Sequence, residues 1–210
     1  MDIVMMAMIT VDIITKISIM RILLLFLLLT ITFGLKAQKQ PVELGKVHWL
    51  RNYDEAIKAS VEEQKPIFIL FQEVPGCTTC QRYGNNILSR DLIVEAIEDQ
   101  FIPLAIFNNK GGHDAEILKK YNEPAWNNPV VRIVNNKGQD IVNRISGAYH
   151  AYAVVSGINQ ALIAEKISIP AYLSLLEEET HAELLGTTEN YISMYCYWSG
   201  EKNIGKQYGV

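Results

Sequence analysis

The stretch KPIFILFQEVPGCTTC, residues 65–80, decides the fold. Lys65-Pro66 closes any helix that precedes it, because proline lacks the N–H that a helix interior uses. Residues 67–71 (IFILF) form a short unbroken apolar run, the pattern of a strand buried on both faces in a mostly parallel sheet. Val74-Pro75-Gly76 is a turn signal, and Cys77 follows it ahead of residues able to open a helix. A Cys-x-x-Cys pair placed there has a specific use. Helix-terminal N–H groups and the helix dipole stabilise a thiolate on the first cysteine, lowering its pKa from about 8.5 toward about 7 or below. Cys77 is then the exposed nucleophile that attacks a disulfide, and Cys80, one turn along, resolves the mixed disulfide.

Working outward, residues 53–64 alternate charged positions with Ala56, Ile57, Ala59 and Val61, as in an amphipathic helix, with Asn52 or Asp54 as its cap. Beyond the cysteines a second helix is expected over residues 91–98, a buried strand over 101–107 (FIPLAIF) and a short helix over 113–121. Asn127-Asn128-Pro129 leads into a strand over 130–134. The turn Asn135-Asn136-Lys137-Gly138 and a partner strand over 139–145 complete an antiparallel hairpin. Residues 148–166 carry Val154, Val155, Ile158, Leu162 and Ile163 at helical spacing. Pro170 interrupts the pattern before another helix over 172–185. The expected class is α/β, a mixed sheet flanked by helices, with a C-terminal helical and strand-like extension over 191–210.

Two other readings of the cysteine pair stay open. Half of a zinc site needs two further Cys or His ligands, and His113, His150 and His181 are scattered while Cys196 stands alone. A permanently oxidised structural disulfide is sterically possible in so short a loop, which would leave a binding module without catalysis. Gly111-Gly112-His113-Asp114 reads as a loop and helix cap rather than a ligand cluster, and Trp49 and Trp126 as core or rim aromatics. No residue pattern calls for a metal or a cofactor.

Trp49, the helix at Glu55-Ala56, Lys65-Pro66-Ile67-Phe68, the CTTC pair and Asn128-Pro129-Val130-Val131 resemble, in order and spacing, the thioredoxin-like domains, and in particular their exported, extended members. The resemblance spans about 47–168. It implies a thioredoxin-like fold, protein disulfides as substrates, an upstream electron donor, and a cis-proline loop at Pro129 that sits against the redox pair and offers backbone groups to an extended substrate. The chain departs from that family's pattern in having Val74-Pro75-Gly76 where a tryptophan usually precedes the first cysteine, and Thr78-Thr79 where thioredoxin itself has Gly-Pro.

A second constellation, Cys196-Tyr197-Trp198-Ser199-Gly200-Glu201, followed by Gly209-Val210, resembles the nucleophile segment of the A-type peptide methionine sulfoxide reductases. The resemblance implies Cys196 as the thiolate that attacks the sulfoxide sulfur, Tyr197 and Trp198 as the cage for the substrate methyl group, and Glu201 as the acid that shares a proton with the oxygen. Such chemistry needs a thiolate, an acid and an apolar cage. About a dozen residues follow the cysteine, whereas a reductase domain needs on the order of a hundred more for its own core. Residues 170–210 are therefore expected to be a linker helix and a truncated reductase-like segment, or part of a thioredoxin–reductase fusion. An ordinary aromatic strand with a buried thiol is the plain alternative.

Near the N-terminus, residues 22–33 (ILLLFLLLTITF) follow Arg21 and give way to Gly34-Leu35-Lys36-Ala37, the layout of a secretory signal peptide over 1–37. The apolar run is shorter than the roughly 20 residues that cross a bilayer. Met20 is a candidate true start. Membrane is a partner only if this leader is uncleaved. The expected location is periplasmic or secreted. The 210 residues carry a net charge of −4, and removing the leader leaves about −5, which excludes nucleic acid as a partner.

Overall fold

Six consecutive residues, Ile67–Gln72, are buried and form β1 at the centre of the sheet. The structure, a computed structural model, describes Lys16, Met20, Arg21, residues 40–186 and residues 196–206. The expected signal peptide over 1–37 therefore lies outside the described residues, apart from those three positions. The chain divides between Lys39 and Gln40 into two units, and the sheet with its helices belongs to the second. No helix among the described residues is long and apolar enough to cross a membrane.

After a 3-10 turn at Val42–Leu44, the elements are α1 (Tyr53–Glu63), β1 (Ile67–Gln72), α2 (Thr78–Asn86), α3 (Asp91–Gln100), β2 (Ile102–Phe107), α4 (His113–Lys120), β3 (Val130–Val134), β4 (Ile145–Ser146), α5 (Ala151–Ala164), α6 (Ala171–Leu185) and α7 (Tyr197–Ile204). Their order is close to that read from the sequence. Asn52 caps α1, its side chain accepting from the N–H groups of Asp54 (2.9 Å) and Glu55 (3.2 Å). The four-stranded sheet runs β2-β1-β3-β4. β1 is parallel to β2 and antiparallel to β3, and β3 is antiparallel to β4. Leu50 adds a parallel bridge to Leu104 at the outer edge of β2.

Because successive strand side chains point to opposite faces, β1 feeds two cores. Ile67, Ile69 and Phe71 pack with Tyr53 and Ala56 of α1 and Ile117 and Leu118 of α4. Phe68 and Leu70 pack with residues of α2, α3, α5 and α6. Each such large apolar side chain contributes roughly 1.5–3 kcal/mol by leaving water. The two-sided burial explains the unbroken apolar run. Leu173 and Leu176 place α6 in the second core. Asn159 of α5 donates to the Leu173 carbonyl (3.2 Å) and to Glu177 (2.7 Å), and Arg90 grips Glu183 with two 2.7 Å hydrogen bonds.

Two expectations need correction. The strand foreseen over residues 139–145 forms only in part. Ile141 N–H bonds to the Ile133 carbonyl (2.9 Å) beside a Val134–Asp140 bridge, but the ladder resumes at Val131–Ile145 and Val130–Ser146, two residues out of step. The bulged segment carries Arg144 to Glu123, whose buried carboxylate also takes Arg132 (each 2.7 Å). A buried carboxylate demands such partners, and that demand overrides the regular ladder. The strand-like run foreseen from Tyr191 lies outside the described residues as far as residue 195, and beyond it the chain is helical from Tyr197 to Ile204. A helix satisfies its backbone internally, whereas a strand needs a neighbour to pair with.

Candidate active site

The turn after β1 delivers Cys77 to the N-cap of α2, where it is exposed, while Cys80 on the first turn is fully buried. Their sulfurs lie 3.6 Å apart as a dithiol. This pair is therefore asymmetric. The Cys80 N–H first, then the Cys80 thiol and the Thr79 N–H, outweigh partial burial and hold the Cys77 thiol below its ordinary range. The Cys77 sulfur closes no full capping hydrogen bond, so these groups act as converging dipoles at the helix start. Burial pushes the Cys80 thiol up to about 11, reinforced by the hydrogen bond to Cys77 and by its charge. The arrangement makes the outer thiol the first to lose its proton and the inner one the last.

The sulfurs are held by a framework the sequence did not announce. Gly76 passes so close to the helix that a Cβ there would lie 2.4 Å from the Glu73 carbonyl and 2.6 Å from Cys80 Cβ. The Gly76 N–H donates to the buried Glu43 carboxylate at 2.8 Å. Gln72, the last residue of β1, donates through Nε2 to the carbonyls of Glu43 (2.9 Å) and Cys80 (3.3 Å). Gly84 lets the 3-10 turn approach, since a Cβ on it would meet the Val42 carbonyl oxygen at 2.0 Å. Asn109, after β2, clasps the turn by accepting from Val74 N–H (3.3 Å) and donating to the Pro75 carbonyl (3.2 Å).

Across from α2, the loop before β3 brings Asn128 to the pair: Cys80 Sγ donates to Asn128 Oδ1 at 2.7 Å. The Asn128–Pro129 peptide is cis, as is Val74–Pro75. Trp126, two residues earlier, is 82% exposed and so a rim rather than a core aromatic, while Trp49 is half-buried against Phe68. The Glu73 carboxylate and both sulfurs lie within 4.8 Å of one another.

The sequence-derived candidates fall into two sets. Cys77 and Cys80 lie beyond the C-terminal end of β1, and Pro129 lies just before β3, next to the Asn128 that accepts from Cys80. Cys196 is exposed and immediately precedes α7, which carries Tyr197, Trp198 and Glu201; Trp198 is largely exposed. Sequence reasoning missed Glu43, Gln72, Glu73, Asn109 and Asn128. Only Asn128 had a signal, as the neighbour of the flagged proline.

A mixed sheet with helices on both faces, a Cys-x-x-Cys helix springing from its central strand and a cis-proline facing it define a thioredoxin-like fold. Residues 48–136 match the family model described as thioredoxin-like. Among solved structures the chain is similar to a DsbH oxidoreductase (19% identity over 61% of this chain and 92% of that one, TM-score 0.48). It is also similar to a thioredoxin from Thermus thermophilus (18%, 56% and 88%, TM-score 0.48). A disulphide isomerase from Xylella fastidiosa Temecula1 matches at 19% identity, over 60% and 87%, with a TM-score of 0.38. None of the curated proteins matches.

Proposed function

We propose that the chain is a thiol–disulfide oxidoreductase whose reaction takes place at Cys77 and Cys80. The carrying observation is the asymmetry of the pair: an exposed sulfur with a lowered pKa 3.6 Å from a buried one pushed up to about 11. The Cys77 thiolate attacks a disulfide sulfur of the client, and the client's other sulfur leaves as a thiolate. Cys80 then gives up its proton and attacks Cys77 Sγ, releasing the reduced client and leaving a Cys77–Cys80 disulfide for an upstream donor to reduce. The loop at cis Pro129 supplies backbone groups for an extended client segment.

The test is a pair of variants in a disulfide-reduction assay. Cys77→Ser abolishes turnover, whereas Cys80→Ser traps a mixed disulfide with the client. Unchanged turnover in both defeats the reading.

The leader-like residues 1–37 support action outside the cytoplasm, with residues 47–168 as the thioredoxin-like domain. The Cys196 segment supports a more specific role, that of electron donor to a methionine sulfoxide reductase module, whose oxidised cysteine the dithiol restores. Cys196 immediately precedes α7, which carries the other residues of that segment. Assay of a methionine sulfoxide peptide with dithiothreitol, with and without Cys196→Ser, shows whether residues 170–210 act as a reductase segment themselves.

A further inference from the structure

We infer that the reduced dithiol and Glu73 together form a binding site for one zinc ion. Three donor atoms from one short segment, Cys77 Sγ, Cys80 Sγ and a Glu73 carboxylate oxygen, lie within 4.8 Å of one another. A tetrahedral ion with metal–sulfur bonds of about 2.3 Å holds two sulfurs about 3.8 Å apart, and a sulfur and a carboxylate oxygen about 3.5 Å apart. The sulfurs, at 3.6 Å, are already spaced for such an ion. The carboxylate has to close by about 1.3 Å at most, a movement its side-chain torsions supply from a half-buried position.

The donor set selects the metal. Two thiolates are too soft for magnesium or calcium, which take all-oxygen shells. The carboxylate shifts preference from copper(I) toward zinc, which accepts sulfur and oxygen together. Three protein ligands leave a fourth position for water. Cys77 is exposed, so the ion has an entry path. Sequence spacing hid the site because only Cys and His pairs suggested zinc there, and the third ligand is a carboxylate four residues before Cys77.

Metal and disulfide exclude each other, because both use the same sulfur electrons. Zinc therefore holds the pair reduced, shields it from oxidation and stops it attacking a client. This is a reversible brake, and it goes beyond the exchange reaction itself.

The test uses the full chain carrying Cys196→Ser, so that two thiols remain. The reduced protein is titrated with Zn2+ against a chromophoric chelator, and with Co2+ while thiolate-to-cobalt charge transfer is followed. One metal per chain is expected, with binding lost on oxidation and weakened at least about ten-fold by Glu73→Gln. Equal affinity in Glu73→Gln, binding that survives oxidation, one metal shared by two chains, or no binding overturns the site. None of these readouts uses disulfide turnover, so the exchange reading stands or falls separately.

Discussion

The Cys80 sulfur donates to Asn128 Oδ1 across 2.7 Å, tying the helix that carries the dithiol to the residue ahead of cis Pro129. Residues 48 positions apart in sequence thus share one proton site, and the protonated form of the buried thiol gains an acceptor.

Replacing that acceptor with a carboxylate makes the coupling measurable. In Asn128→Asp a negative charge faces Cys80 and disfavours the thiolate needed for resolution. Mixed disulfide is expected to accumulate several-fold above wild type when the reaction is quenched with acid and the adducts are resolved by mass. Wild-type levels count against a role for this contact.

The asymmetry of the pair sets two pH dependences of opposite sign. Cys77 loses its proton below the ordinary thiol value near 9, whereas Cys80 keeps its proton up to about 11. Iodoacetamide is therefore expected to modify Cys77 faster than a free thiol at any pH below about 9, and to spare Cys80 until the solution is strongly alkaline. By linkage, the lowered Cys77 value makes the reduced protein gain stability as the pH rises toward 9. The raised Cys80 value makes it lose stability from 9 through about 11. Denaturant titrations of the reduced and oxidised forms, subtracted, are expected to peak near pH 9.

Beneath the turn, Glu43→Ala leaves the Gly76 N–H without its acceptor and costs about 1–3 kcal/mol of stability, while Glu43→Gln keeps an acceptor and costs less. Gly76→Ala inserts a methyl group 2.6 Å from Cys80 Cβ, so it is expected to lower disulfide reduction as well as stability. Urea midpoints and initial rates on the same preparations separate the two effects.

At the bulge, Glu123→Ala strips a shared carboxylate from Arg132 and Arg144, leaving Arg132 with Asp140 as its remaining carboxylate partner. A loss of about 1–3 kcal/mol is expected in chemical denaturation. A loss below about 1 kcal/mol shows that the irregular ladder does not depend on this pair of contacts.

Local pattern was enough for most of the fold. The apolar run at residues 67–71 announces a doubly covered strand because each successive side chain meets a different core, and no polar position is tolerated. Asn52 is legible as a cap because capping is a contact with the next three residues. The hairpin misled because its regularity depends on Glu123, seven residues before β3 begins, and sequence spacing does not show which arginine a buried carboxylate recruits.

For the site, the sequence by itself determined the reacting atoms: two thiols one helical turn apart, at a helix start fed by a buried strand. Their difference was decided by the tertiary structure. Burial is a property of everything packed around a sulfur, and Glu43, Gln72, Glu73 and Asn128 reach the pair only because the sheet, the 3-10 turn and the cis-proline loop converge there. Covalent spacing fixes which groups can meet. The surrounding dielectric and hydrogen-bond partners, which only the fold assembles, fix which of them is charged.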